Sequence, residues 1–365
     1  MSILASKKNK KNTIISSMEK NLNTLNIESS LNQCINDSIN RQIQNTLEGK
    51  MTIVSRRKFN ELSFFKELHE RNEKVSIKEE ANENKEATTP FITKNKKIEN
   101  CFRDEVHNGK SISKEIYDKY KSHFKKIAKT NDGTIAIQNS IKKTSALVLN
   151  LIAQELMENL YQVFKCKFGN YVIQKIYPFL TLENKLKVLN SIDFFIIGSN
   201  QTGTYALQSI VESIETKEER RLCLAKIQPN FMTMVLNGLC CHIVEKVLLK
   251  NEYLEIKNLF GKLIQENFLL IATDSNGIKI MKFFSVVCCL TEDYDLLSDY
   301  LYENLECLIK NQYGNYLIQC IIDSWPKEYI LKIAKITRKN YISLMADKFA
   351  SNVIERLIIS LDVVS

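Results

Sequence analysis

The chain has little glycine or proline, ten and four in 365 residues, one tryptophan and four histidines. β-turn-rich folds need many more Gly and Pro, so the chain is expected to be mostly helical. No apolar run approaches the eighteen or so residues of a membrane-spanning helix. The N-terminus passes from Met1 through Ile3 and Leu4 to Lys7 and Lys8 without a signal-peptide core, which points to an intracellular protein. Ten cysteines are present, but no Cys-x-x-Cys pair, and with four scattered histidines no metal-site spacing exists. Reduced, mostly buried thiols are expected. A phosphate-binding Gly-rich loop, paired carboxylates and a nucleophile arrangement are also missing, so an enzyme, a cofactor or a metal is not expected.

What is present is unevenly distributed. Residues 1–150 carry 28 Lys and Arg against 18 Asp and Glu, while residues 151–365 carry 23 against 24. Residues 1–110 are rich in Asn, Lys, Ser and Glu with little periodicity, which reads as a disordered basic segment with short helices near Phe59–Leu68. Residues 111–365 form the second domain.

Seven short stretches in that domain align. They begin at Gly133, Gly169, Gly203, Cys240, Gly277, Gly314 and Ala350, with spacings of 36, 34, 37, 37, 37 and 36 residues. Each follows an amphipathic segment, such as Val148, Leu151, Ile152 and Leu156, or Leu259, Leu263 and the run from Phe268. The pattern predicts units of helix, tight turn and helix. Gly at five turn positions would let the chain bend, and Asn, Ser or Thr after it would cap the second helix. Such units bury little alone and must stack, which makes the fold class all-α, a curved α-solenoid.

In each second helix the residue after the aligned position and the residue four later share one face. The pairs are Thr134/Gln138, Asn170/Gln174, Thr204/Gln208, Cys241/Glu245, Ile278/Lys282, Asn315/Gln319 and Ser351/Glu355. The residue after the first member is Ile135, Tyr171, Tyr205, His242, Lys279, Tyr316 or Asn352, and the apolar residues between face the core. One such stretch is easily explained as a cap, a good helix former and a half-buried ring. A scaffold has no need for an amide or carboxylate at the same exposed place in six units, beside a ring in four.

These residue sets resemble those of the Pumilio (PUF) RNA-binding proteins, most specifically in Asn315-Tyr316-x-x-Gln319 followed by Ser351-Asn352-x-x-Glu355. The resemblance spans the repeat region and implies a curved Pumilio-type solenoid that binds single-stranded RNA, one base per repeat. A Glu carboxylate accepts from guanine N1 and N2, so Ser351/Glu355 should select G. Asn170/Gln174 and Asn315/Gln319 should select U, and Thr204/Gln208 should do so more weakly. Cys241/Glu245 leaves G or no choice, and Thr134/Gln138 leaves A or U. The row of Ile135, Tyr171, Tyr205, His242, Lys279, Tyr316 and Asn352 would stack on the bases. Lys279 and Lys282 are assigned to phosphate or to a base left flipped out.

Antiparallel binding, as in the family, gives a core 5′-GUNNUUN-3′, with a preceding U unread because an eighth repeat is not recognised before Ser365. The resemblance implies a monomeric cytoplasmic regulator of messenger RNA, acting on 3′ untranslated regions through repression of translation or of message stability. Repressor or deadenylation-complex proteins would sit on the convex face. The alternatives are a nucleolar Pumilio-like protein that binds structured RNA in ribosome assembly, placed in the nucleus, or a helical protein–protein scaffold.

Overall fold

The computed structural model describes residues 91–106 and 109–362. The stretch 1–90, with the helices expected near Phe59–Leu68 and with Cys34, lies outside the described residues. Among the described residues there is no strand, and no helix is long and apolar enough to cross a membrane. The described residues up to Ile358 form one compact unit, and its last helix is Ala350–Asp362.

The repeated element is three helices rather than two. In the second unit these are Leu160–Lys165, Gly169–Ile176 and Leu182–Asn190. In the sixth they are Leu305–Lys310, Gly314–Ser324 and Lys327–Thr337. The segment expected to be one helix before each aligned stretch is broken, as where Asn267 separates Tyr253–Glu266 from Phe268–Ala272. The break lets the short helix pack on the reading helix that follows it, as Phe268–Ala272 does on Gly277–Thr291. Periodicity alone cannot reveal it, because both pieces are amphipathic.

The reading helices Asn131–Ser140, Gly169–Ile176, Gln201–Glu212, Cys240–Leu249, Gly277–Thr291 and Gly314–Ser324 pack each on the next along the chain, and the seventh, Ala350–Asp362, is tied to the sixth through Arg356 and Asp323. Their paired apolar residues are buried as expected, from Val172 and Ile173 through Leu317 and Ile318 to Val353 and Ile354. The core runs between this row and the outer helices, with Phe231 stacked on Phe260 at 4.1 Å.

Polar ties lock neighbouring units. Tyr177 Oη donates to Glu219 Oε1 at 2.8 Å, and Glu219 Oε2 accepts from the N–H groups of Thr216 and Glu215. Burial works to raise the Glu219 pKa, but these hydrogen bonds hold the carboxyl below its ordinary value. Asn150 Oδ1 likewise accepts from the backbone and hydroxyl of Thr181 and from Asn184 Nδ2.

The aligned glycines do not make turns. They open the reading helices, as the first residue at Gly169, Gly277 and Gly314 and the third at Gly133 and Gly203, and Gly109 is the sole described glycine with positive φ. Their reason is close approach. A Cβ on Gly133 would stand 2.2 Å from Ile127 O, and one on Gly314 would stand 2.8 Å from Leu308 O. In these units the reading helix crosses the end of the short helix where a Cβ has no room, whereas the fourth and seventh units accommodate the Cβ atoms of Cys240 and Ala350 at that place.

The stretch expected to be disordered also contains a helix, Phe91–Glu105, which packs on the first reading helix, Asn131–Ser140. Phe102 and Val106 are fully buried, and Phe102 sits edge-on to Phe124 at 5.5 Å. Two buried apolar residues anchored it despite the polar composition around them.

Candidate nucleic-acid interface

Each reading helix is started by a residue the sequence reading passed over, three positions before the aligned glycine. Thr130, Asn200, Asn237, Asp274, Asn311 and Asp347 each accept a hydrogen bond from the backbone N–H of the aligned residue, at 2.8–3.3 Å. Cys166 holds the same place in the second unit and accepts through its carbonyl from Asn170 N. Thr130 and Asn200 are the N-caps of their helices, whereas Asn237, Asp274 and Asn311 stand two residues before the N-cap; these acceptors recur at the period of the aligned residues, which was the signal available in the sequence. The bonds from Ala350 and then Phe349 hold the Asp347 carboxyl below its ordinary value.

The residue after the glycine is therefore free of capping duty, and it turns inward. Thr134, Asn170, Thr204, Cys241, Ile278 and Asn315 are all buried. Asn170 donates both amide hydrogens to Cys166 O and Lys167 O, at 2.8 and 2.9 Å, and its Oδ1 accepts from Gln174 Nε2 at 2.8 Å. Asn315 donates to Asn311 O at 2.8 Å and accepts from Gln319 Nε2 at 2.8 Å. Thr204 Oγ1 accepts from Gln208 Nε2 at 3.1 Å. Thr134 instead bonds back to Ala128 O, and Cys241 to Gly238 O.

The asparagine thus orients the glutamine. One Nε2 hydrogen of Gln174 or Gln319 is tied down, so the amide plane is fixed with Oε1 and the second Nε2 hydrogen left to present outward. That is one acceptor beside one donor, the complement of uracil N3–H and an adjacent carbonyl.

The second-position residues project from the row. Ile135, Tyr171, Tyr205 and Tyr316 are 48, 47, 58 and 54% exposed, which is unusual for large apolar side chains recurring at one place. His242 and Lys279 are half-buried and Asn352 is exposed. The fifth-position residues Gln138, Gln174, Gln208, Glu245, Lys282 and Gln319 are half-buried, and Glu355 is exposed. The first, second, third and sixth units therefore show one pattern, a buried anchor, an exposed apolar or aromatic side chain and a half-recessed polar end, while in the seventh unit Ser351 is half-buried and Asn352 and Glu355 are exposed. Neighbouring reading helices are held together by ion pairs, Lys246 with Glu212 and Arg356 bidentate with Asp323.

The fourth and fifth units depart from this order. Lys279 Nζ lies 3.4 Å from His242 Nε2 and 3.8 Å from Cys241 Sγ. Burial, then the Lys279 and Lys246 charges, push the His242 imidazole down to about 4. A neutral ring leaves Nε2 able to accept from the ammonium. Burial raises the Glu245 carboxyl, opposed by Lys279, Lys246 and Lys282, and burial lowers Lys282. A base between two units needs van der Waals contact on both faces, roughly 7 Å in all. The Lys279–His242 contact at 3.4 Å leaves less than that between these two side chains.

Among the described residues no group of three His, Cys, Asp or Glu is placed to hold a metal, and the described cysteines are free thiols. Fold and surface together define an α-solenoid that offers a row of planes and amide ends to a succession of flat groups. The Pumilio-family RNA binding repeat model matches residues 165–192, 307–335 and 340–362. Suppressor protein MPT5 of Saccharomyces cerevisiae is 26% identical over 248 residues, 64% of this chain and 28% of that protein. Pumilio homolog 11 of Arabidopsis thaliana is 27% identical over 238 residues, 63% of this chain and 42% of that protein. The chain thus spans less than half the length of these curated relatives.

Among solved structures, the Puf4 RNA binding domain bound to the HO endonuclease RNA 3′ UTR recognition sequence is similar with a TM-score of 0.60 and 26% identity. The match covers 67% of this chain and 78% of that one. PUF-8 in complex with PBE-RNA covers 88% of this chain and 89% of its own, with a TM-score of 0.61, and at 14% identity it shows the fold alone. Three stretches of the repeat region thus match the Pumilio-family RNA binding repeat, and the fold of the region is similar to that of Puf RNA-binding domains.

Proposed function

We propose that this chain binds single-stranded RNA sequence-specifically, one base per unit, and regulates messenger RNA after transcription. The observation that carries the reading is the buried anchor, exposed apolar or aromatic side chain and polar end shared by the first, second, third and sixth units on the row of reading helices, whose period is 34 to 37 residues. Flat groups separated by one unit's spacing are what that row can hold, and unstacked bases are such groups. Gln174 and Gln319, fixed by Asn170 and Asn315, favour uracil, and Glu355 favours guanine through two accepted hydrogen bonds. Gln208, held by the weaker acceptor Thr204, favours uracil less strongly.

The expected core is 5′-GUNNUUN-3′, read antiparallel, with a U before it in a UGU element and with the gap at the fourth and fifth units contributing little selection. Elements of this kind in 3′ untranslated regions are the proposed targets. Translation or message stability is the proposed output, exerted in the cytoplasm by a monomer whose outer-helix face recruits repressor or deadenylation proteins. The near-neutral charge of residues 151–365 supports binding dominated by stacking over phosphate contacts.

Selection of bound RNA from a random single-stranded pool by the full chain tests the reading. Enrichment of GU followed after two positions by uridines is expected. Tight binding without enrichment would favour structured RNA in ribosome assembly, and no RNA binding would favour a protein scaffold.

A further inference from the structure

The seven second-position side chains enclose six gaps between neighbouring units. A further recess opens at the first unit, on the side of Ile135 away from Tyr171's unit. It is a cleft of about 290 Å³ lined by Arg103, Gly109, Asp132, Ile135 and Asn139. Sites for drug-sized ligands run to roughly 300–1,000 Å³, so this one is on the scale of a single base.

Its walls repeat the arrangement of the inter-unit gaps. Helix Phe91–Glu105 packs on Asn131–Ser140 as each reading helix packs on the next, so it stands as the member of the row before the first unit. Arg103 projects from that helix, and its guanidinium is fixed by ion pairs to Asp132 at 2.9 Å and Asp104 at 3.3 Å. A planar guanidinium held in place is a stacking surface for a base. Ile135 supplies the opposite face. Asn139 lies one helical turn beyond Ile135 and brings an exposed amide, a donor and an acceptor, to the edge.

The charge of this end agrees. Residues 110–145 hold nine lysines against three acidic residues, net +6, whereas residues 151–365 are net −1. An RNA backbone continuing past the first unit meets a basic surface there.

We infer that the cleft between Arg103 and Ile135 holds one further nucleobase, at the end of the RNA that lies on the first unit. This rests on the RNA reading above, in which that end is the 3′ end. The base stacks between the Arg103 guanidinium and Ile135, and Asn139 contacts its edge.

The test uses the full chain and RNAs lengthened one nucleotide at a time from the 3′ end of 5′-GUUUUU-3′, with affinities read by fluorescence anisotropy. Asn139→Trp, which fills the cleft from an exposed helical position, is compared with wild type after equal thermal stability is verified. Wild-type affinity should keep rising for one nucleotide more than that of Asn139→Trp, with a gain of about tenfold at that step. Replacing the base of that nucleotide by an abasic residue should remove the gain in wild type. Asn139→Ala should keep part of it, since both stacking faces remain.

A plateau at the same length in wild type and Asn139→Trp overturns the inference, as does an abasic residue that keeps the full gain. Both results leave core binding intact. Failure of wild type to bind the core would instead sink the RNA reading, and the inference with it.

Discussion

Replacing Tyr316 by alanine tests the row of planes most severely, because its neighbours on the row are Lys279 and Asn352. Neither is an aromatic ring, so the bases on both sides of Tyr316 depend on that ring for aromatic stacking. Stacking is worth about 1–3 kcal/mol per base by alanine substitution. Two bases share this loss, which places Tyr316→Ala in the upper part of the range, about 2–3 kcal/mol, or about 30- to 150-fold in Kd. Tyr171 is different, since Tyr205 still covers the base between them. Tyr171→Ala should therefore cost about 1 kcal/mol, roughly fivefold.

Both rings are about half exposed, so fold stability should change by no more than about 0.5 kcal/mol in either variant. Anisotropy titrations with a fluorescein-labelled core RNA, alongside thermal melts, separate the two effects. Equal losses for Tyr316→Ala and Tyr171→Ala, or a loss below twofold for Tyr316→Ala, would refute the assignment of these side chains to inter-base gaps.

Further outcomes follow from single contacts. Glu355→Gln should relax the preference for G at the position read by the seventh unit, leaving affinity for the relaxed sequences near wild type; sequencing of selected pools reads this directly, and unchanged G enrichment would remove Glu355 from base reading. Gly314→Ala places a Cβ 2.8 Å from the Leu308 carbonyl and should destabilise by about 1–3 kcal/mol. In Gly261→Ala the Cβ meets its nearest side chains at 3.4 Å inside a helix, so a gain of about 0.5–1 kcal/mol is expected from helix propensity; denaturant melts that rank the two the other way would contradict the close-approach argument.

The His242 imidazole has a pKa of about 4 in the fold and an ordinary value of 6.5. The unfolded chain therefore binds the proton first, so stability declines as pH falls from about 6.5 to about 4. The groups acting on His242 are Lys279 and Lys246, with Cys241 and Glu245 alongside on its helix. His242→Gln should flatten that part of the pH profile in chemical-denaturation melts, and an unaltered slope would show that the ring titrates normally.

The periodic features were legible before any coordinates. The aligned glycines, the paired apolar residues and the sets from Thr134/Gln138 to Ser351/Glu355 repeat because each unit solves the same packing problem. Their burial pattern follows from helical spacing alone, and Val172/Ile173 or Leu317/Ile318 needed no tertiary information. The side-chain acceptors Thr130, Asn200, Asn237, Asp274, Asn311 and Asp347 carried the same periodic signal, three residues before the aligned position.

Other features arise between residues distant in sequence. The glycines read as hinges because a glycine's freedom to bend is local, whereas its lack of a Cβ matters here only against a carbonyl of another helix, such as Leu308 O against Gly314. That Asn170 gives its hydrogens to Cys166 O and Lys167 O and positions Gln174 through its Oδ1 depends on the turn before the helix. The Lys279–His242 contact joins residues 37 apart, and the cleft at Ile135 needs a helix from a stretch whose composition suggested no structure. The sequence by itself determined the repeat, the class of fold and the candidate reading face, since these depend on spacing along one helix. Tertiary structure decided which gaps are open and which side chains remain free to meet a base, because both depend on distances between helices that pack without being neighbours in the chain.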